Sequence, residues 1–92
     1  MDLAELKLYL RVENDEDDQF IQVLQQAAIE YLKNAGVDQS DSALYGLAVK
    51  LLVAHWYENR QAVIIGQVSK QLEYSLQAIL AQLMYAPKVV QP

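Results

Sequence analysis

The residues best equipped for chemistry in this chain form one run, His55-Trp-Tyr-Glu58-Asn-Arg60. His55 and Glu58 stand at i, i+3, so on a helix they share a face, the ligand spacing of di-iron bundles. Such a centre needs further inward carboxylates and a second histidine, and His55 is the single His of the sequence. A hydrolytic zinc site takes about three protein ligands, and no second cluster supplies them. Ser69 or Ser75 would complete the arithmetic of a Ser–His–acid triad, but neither sits in a nucleophile elbow or beside an oxyanion-type glycine motif. Gly36, Gly46 and Gly66 are too dispersed for a phosphate loop. No catalytic residue, metal or cofactor is expected, and His55 reads as a half-buried residue hydrogen-bonded where helices pack.

The dense acidic run Glu13-Asn-Asp-Glu-Asp-Asp18 offers a second chemistry, divalent-cation binding. An EF-hand loop requires a mid-loop glycine and a closing glutamate at fixed spacing, and neither is present. The run reads instead as a turn and the first turn of the next helix, where carboxylates complement the positive end of the helix dipole. What remains is recognition of other proteins. Trp56, Tyr57 and Arg60 are the residue types that dominate interface energetics. With Val63, Ile64 and Ile65 they are the candidate interface residues.

The elements that position these side chains follow from pattern. Asp2 caps a short first helix, with Glu5 placed to answer it in a capping box and Leu3, Leu6 and Leu10 on one face. A second helix is expected over about 15–35. Phe20, Leu24, Ala27 and Tyr31 form its apolar line, Ile21, Ala28 and Leu32 widen it, and Gly36 stops it. Ser40, Asp41 and Ser42 are caps for a third helix over 44–60. That helix has almost no polar face, so it must be covered on nearly all sides. It is too short, and too interrupted by Lys50 and His55, to span a bilayer. The run 61–68 is β-branched and uncharged, and reads either as an extended strand seeking an edge elsewhere or as a loop tucked against the core. A fourth helix starts near Ser69, carries Leu72, Leu76, Ile79, Leu80 and Leu83 on its stripe, and ends at Ala86-Pro87. The expected fold is all-α, a small bundle of four helices with the first one short, the third as hub, and an extended loop before the last. It forms a single domain over 1–92, with a core of 2–85 and a tail of 86–92.

Composition narrows the partners. Of the 92 residues 53% are apolar, a high share for a body with so little interior, so part of that surface is expected to end in an interface. Net charge is −5, and the seven basic residues are scattered singly, whereas a protein that grips DNA by its phosphates clusters them. With no cysteine, neither a disulfide framework nor a thiolate metal site is available. Met1 is followed by Asp2 and Glu5 and not by a basic stretch and an apolar run, which does not read as a signal peptide.

Several of these stretches are also familiar as a set: Leu3-Ala-Glu-Leu-Lys-Leu-Tyr-Leu-Arg11, the acidic Asp15-Glu-Asp-Asp18, Ala27-Ala28 with Tyr31, Leu51-Leu-Val-Ala-His-Trp-Tyr-Glu-Asn-Arg60, and the stripe from Leu76 to Leu83. Over residues 2–85 the chain resembles the small head–tail connector, or adaptor, proteins of long-tailed double-stranded DNA phages and related prophages. It departs from them at Gln61, where an acidic residue commonly follows the arginine, and at Glu73, where a proline often follows the leucine. The resemblance implies a non-enzymatic structural protein of the virion neck, made in the host cytoplasm. It implies a homo-oligomeric ring beneath the portal that extends the DNA channel and docks a stopper or tail-completion protein. DNA would then be cargo in the lumen, which suits an acidic wall. From the residues alone, a free-standing helical interaction module or small regulator is the alternative.

Overall fold

The computed structural model describes residues 2–59 and 69–85, and four helices account for most of them. They are α1 (Leu3–Leu10), α2 (Asp18–Asn34), α3 (Ala43–Glu58) and α4 (Lys70–Tyr85). The fold is an all-α small bundle with no strand among the described residues. The expected extended loop before the last helix lies outside them.

The third helix is the hub, for a simple reason. α1, α2 and α4 all pack on α3, whereas among the described helices α4 packs on α3 alone. Tyr45, Ala48, Val49, Leu52, Val53 and Trp56 of α3 are buried, against Leu6 alone from α1 and Leu76 alone from α4. The expected need for cover is met almost entirely within the chain. Leu44, Leu51 and Ala54 are half-buried, and only Leu47 among the large apolar residues of α3 stays exposed.

The buried line of α2 is Ile21, Leu24, Ala28 and Leu32. Phe20, Ala27 and Tyr31, placed in the expected line, flank it and are half-buried. The stripe turns because α3 seats against the Ile21 side, leaving Phe20 and Tyr31 to meet aromatic rings at its edge. On α4 only Leu76 is fully covered; Leu72, Ile79, Leu80 and Leu83 pack against the core from its margin. One partner helix covers one line of side chains.

Local chemistry sets the helix ends. Asp2 Oδ1 accepts from the Glu5 N–H at 2.9 Å. The Glu5 carboxylate does not complete a capping box but lies 3.8 Å from Lys50 Nζ. α1 closes at Arg11, a left-handed residue with φ 61°, where Val12 N–H donates to Lys7 O and Arg11 N–H to Leu8 O. This paired 6→1 and 5→2 pattern is a Schellman end. α2 closes the same way through Gly36 (φ 95°), with Val37 N–H to Leu32 O at 2.9 Å and Gly36 N–H to Lys33 O at 3.0 Å. The helix starts at Asp18, three residues later than expected, because Asn14 Oδ1 takes the Glu16 N–H and Asp18 N–H turns back to Asp15 O. Ser42 Oγ caps α3 by accepting from Tyr45 N–H at 3.0 Å. α3 ends at Glu58, short of Arg60, because Asn59 folds its side-chain amide onto His55 O at 2.9 Å.

Candidate interaction surface

The run singled out for chemistry lies at the end of α3, where α2 begins and α4 returns. Trp56 is 4% exposed and meets the Tyr31 ring edge-on, with centroids 6.1 Å apart and planes at 74°. Tyr57, on the neighbouring face, tilts against Phe20 at 6.2 Å. Its hydroxyl donates to Asp17 Oδ2 at 2.6 Å, a bond across forty residues of chain. That contact explains why Asp17, the residue before α2, makes no side-chain cap: its carboxylate is turned to α3.

The remaining acids of the run surround a lysine. Lys7 Nζ lies 2.9 Å from Asp15 Oδ1 and 2.8 Å from Asp18 Oδ1, so an ammonium of the chain itself stands where a cation would sit. Hydrogen bonds to Asp18 first, and to Asp15, hold the Lys7 ammonium above the ordinary lysine range. The same bridge ties the end of α1 to the start of α2. Among the described residues no group of His, Asp and Glu side chains is arranged to hold a metal.

His55 and the two serines are engaged by the backbone. His55 Nε2 accepts a long hydrogen bond from the Ser69 N–H at 3.4 Å, which brings the α3 end to the start of α4. Ser69 Oγ caps α4 by accepting from Leu72 N–H at 3.1 Å. Ser75 Oγ donates to Gln71 O within α4. The structure thus brings Ser69 to His55 through its amide, with the hydroxyl committed elsewhere. Glu58 is exposed.

Of the six candidate interface residues, Trp56 is core and Tyr57 is half-buried. Arg60, Val63, Ile64 and Ile65 lie outside the described residues. The surface holds apolar side chains that pattern reading passed over: Leu8 is 80% exposed, Tyr74 78% and Val23 57%, with Leu47 and Met84 less so. Their signal is positional. Leu8 falls off the Leu3–Leu6–Leu10 face, and Tyr74 falls off the stripe through Leu72 and Leu76. Tyr9 is partly exposed as well, with Lys50 Nζ 5.8 Å from its ring centroid, an arrangement suited to a weak cation–π contact. No helix among the described residues is long and apolar enough to cross a membrane.

The geometry is that of a small helical body whose most distinctive run fastens three helices together and whose outer faces carry unburied apolar residues. No curated protein and no solved structure matches the chain. A family model does match over residues 1–83, that of the phage gp6-like head–tail connector protein. With the match spanning nearly the whole chain, including the Lys7 bridge, the Tyr57–Asp17 bond and the Trp56 core, this chain belongs to the phage gp6-like head–tail connector family.

Proposed function

We propose that the chain acts as a structural adaptor at the head–tail junction of a virion. It assembles as a homo-oligomeric ring beneath the portal, extends the DNA channel, and docks a stopper or tail-completion protein. The reading rests on family membership. The observation on this chain that supports assembly is its exposed apolar surface, with Leu8, Val23, Leu47 and Tyr74 each at least 40% exposed on four different helices. Single exposed apolar side chains are ordinary on a monomer, so these four supply contact area to an interface and do not by themselves require one. The net charge of −5 suits a lumen through which DNA slides without being held.

In this reading Trp56 works from within, holding the end of α3 rigid. Tyr57, Arg60, Val63, Ile64 and Ile65 are the contact residues, joined by parts of α2 and α3 between subunits. The 61–70 loop and the 86–92 segment are the parts offered to portal or stopper. Assembly takes place in the host cytoplasm before the ring enters the virion.

Light scattering coupled to size exclusion, run over a range of concentrations with and without purified portal, tests the reading. A species of many 10.4 kDa subunits, alone or on the portal, is expected. A chain that stays monomeric in both settings and does not bind the portal would refute it.

A further inference from the structure

α1 is too short to cover the side of the bundle on which it lies. Its 8 residues run for about 12 Å, against about 25 Å for the 17 of α2 and about 24 Å for the 16 of α3. α2 and α3 are antiparallel, since Tyr57 near the end of α3 meets Asp17 at the start of α2. The Lys7–Asp18 bridge holds α1 over that end, and its Glu5 reaches Lys50 midway along α3. Toward the other end the α2–α3 face is left open as a groove of about 700 Å³. Ile29, Gly46 and Val49 line its apolar part, and Glu5, Ser40 and Asp41 its exposed, polar rim.

α4 lies on the opposite side of the α2–α3 layer. At about 100° per residue, His55, which meets the start of α4 through the Ser69 N–H, stands about 180° round α3 from Gly46 in the groove. Tyr31, on which the charge of Glu73 in α4 acts, stands about 160° round α2 from Ile29. α4 in turn points Tyr74 outward, about 160° from the buried Leu76, and leaves it 78% exposed. Lys70, one turn earlier, is exposed and has no ion pair among the described residues. Lys70 and Glu73 are the only charged residues of α4.

We infer that Tyr74 of one copy enters the groove of the next copy, with Lys70 set against Asp41 at the rim. Charge favours this occupant. Lys50 in the groove is already set against Glu5 at 3.8 Å, while Asp41 has no ion pair among the described residues and awaits a cation. Shape and polarity agree: a tyrosine ring suits the Ile29 and Val49 side chains, and its hydroxyl the polar rim. Leu8 is slightly more exposed, at 80%, but it stands only about 60° round α1 from Glu5, on the groove's own side. Leu8 seated in a partner's groove would pair two copies about a two-fold axis. Tyr74 and the groove lie on opposite faces, so their contact repeats head to tail and closes as a ring when each step is a suitable rotation. The inference rests on the ring reading and adds the outer face of α4 to the surfaces that build the ring.

Full-length chains with one cysteine each test it, because the sequence has no cysteine of its own. A Gln39→Cys chain is mixed with a Gln71→Cys or a Gln77→Cys chain under mild oxidation. The mixture is held in the setting, alone or on purified portal, in which light scattering finds assembly. Gln39, Gln71 and Gln77 are exposed, so the fold is kept. A bond requires the two Cα atoms within about 4.4–6.8 Å. The expected result is a mixed disulfide from at least one of the two α4 positions. It should form about tenfold faster than when Val23→Cys replaces Gln39→Cys, because docking raises the local thiol concentration. Assembled chains whose mixed pairs are no faster than that control overturn this contact and leave the ring reading standing. A chain that stays monomeric in both settings overturns both. If α4 cysteines join each other fastest, or Leu8→Cys outpaces both α4 positions against Gln39→Cys, the contact is overturned in favour of a two-fold pair. Tyr74→Ala should weaken assembly about tenfold, as the loss of a buried interface tyrosine does. Asp41→Lys should weaken it about threefold, and adding Lys70→Glu should restore it. Equal assembly by the parent and all three variants would overturn the contact.

Discussion

The hydrogen bond from Tyr57 to Asp17 joins the last turn of α3 to the residue that opens α2, and its removal is a sharp test of how the family's distinctive run works. Tyr57→Phe keeps the ring that packs on Phe20 and deletes only the hydroxyl. At 2.6 Å to an ionised carboxylate the bond belongs to the strong class, with net contributions of about 1.5–3 kcal/mol. Both partners are half-buried, so water regains part of the Asp17 carboxylate when the hydroxyl goes. That moves the expected loss to about 1–2 kcal/mol, at the lower end of the class. In a domain of this size such a loss lowers Tm by about 4–16 °C. Urea unfolding at fixed protein concentration, followed by the fluorescence of Trp56, reads it directly, since Trp56 is the single tryptophan and is buried. Asp17→Ala, which removes the acceptor, and the double variant complete a cycle whose coupling term should be about 1–2 kcal/mol. A Tyr57→Phe chain within about 0.3 kcal/mol of the parent, or strictly additive single variants, would show that the bond does not hold α2 to α3.

Two further outcomes follow from the same structure. Arg11 is held at φ 61°, a conformation that costs an L-residue about 1–2 kcal/mol, while glycine's freer unfolded chain gives back about 0.4–1 kcal/mol. Arg11→Gly should therefore raise the urea midpoint, with a net gain of about 0.5–1 kcal/mol, and a lowered midpoint would contradict the strain argument. Stability should also fall on the alkaline side. Lys7 is raised by its bonds to Asp18 and Asp15, Tyr31 by burial and then by the charge of Glu73, and Tyr45 by burial and then by the charge of Asp38. All three titrate higher when folded, so their contribution is complete below the ordinary values of 10.5 and 10.0 and is lost as pH rises through the folded ones. Urea midpoints compared at about pH 8 and about pH 11 should show the drop, and a flat or rising profile would refute the assignment.

Much of the bundle was legible because the sequence names its own helix ends. Asp2, Ser42, Ser69 and Gly36 do in the structure what their side chains, or lack of one, dictate locally. The late start of α2 was not legible. Asp15, Glu16 and Asp17 all suit a first turn by type, but Asn14 and Asp15 hold a turn there, and the carboxylates are drawn to Lys7 and, forty residues on, to Tyr57. Arg11 likewise occupies a left-handed position that local propensity assigns to glycine, and the backbone bonds to Lys7 and Leu8 hold it there.

The interaction surface was harder to read than the core. Periodicity marks residues that share a face, so it found the stripes of α1 and α4 but gave no weight to Leu8 or Tyr74, which stand off those stripes and remain exposed. It also could not say whether Trp56 turned inward, because on a helix apolar all round every face looks alike. Tyr31, placed opposite by the packing of α2, decided that. The groove beside Gly46 is built by α1, α2 and α3 together, and no one segment announces it.

By itself the sequence determined that there are four helices, the caps at Asp2, Ser42, Ser69 and Gly36, the hub and the family, since each rests on local hydrogen bonding or on a run of contiguous residues. Only the tertiary structure decided which acids pair with Lys7 and Tyr57, that Trp56 is core, and which apolar side chains are left outside. Those outcomes depend on which helix faces meet, and a face is chosen by its partner.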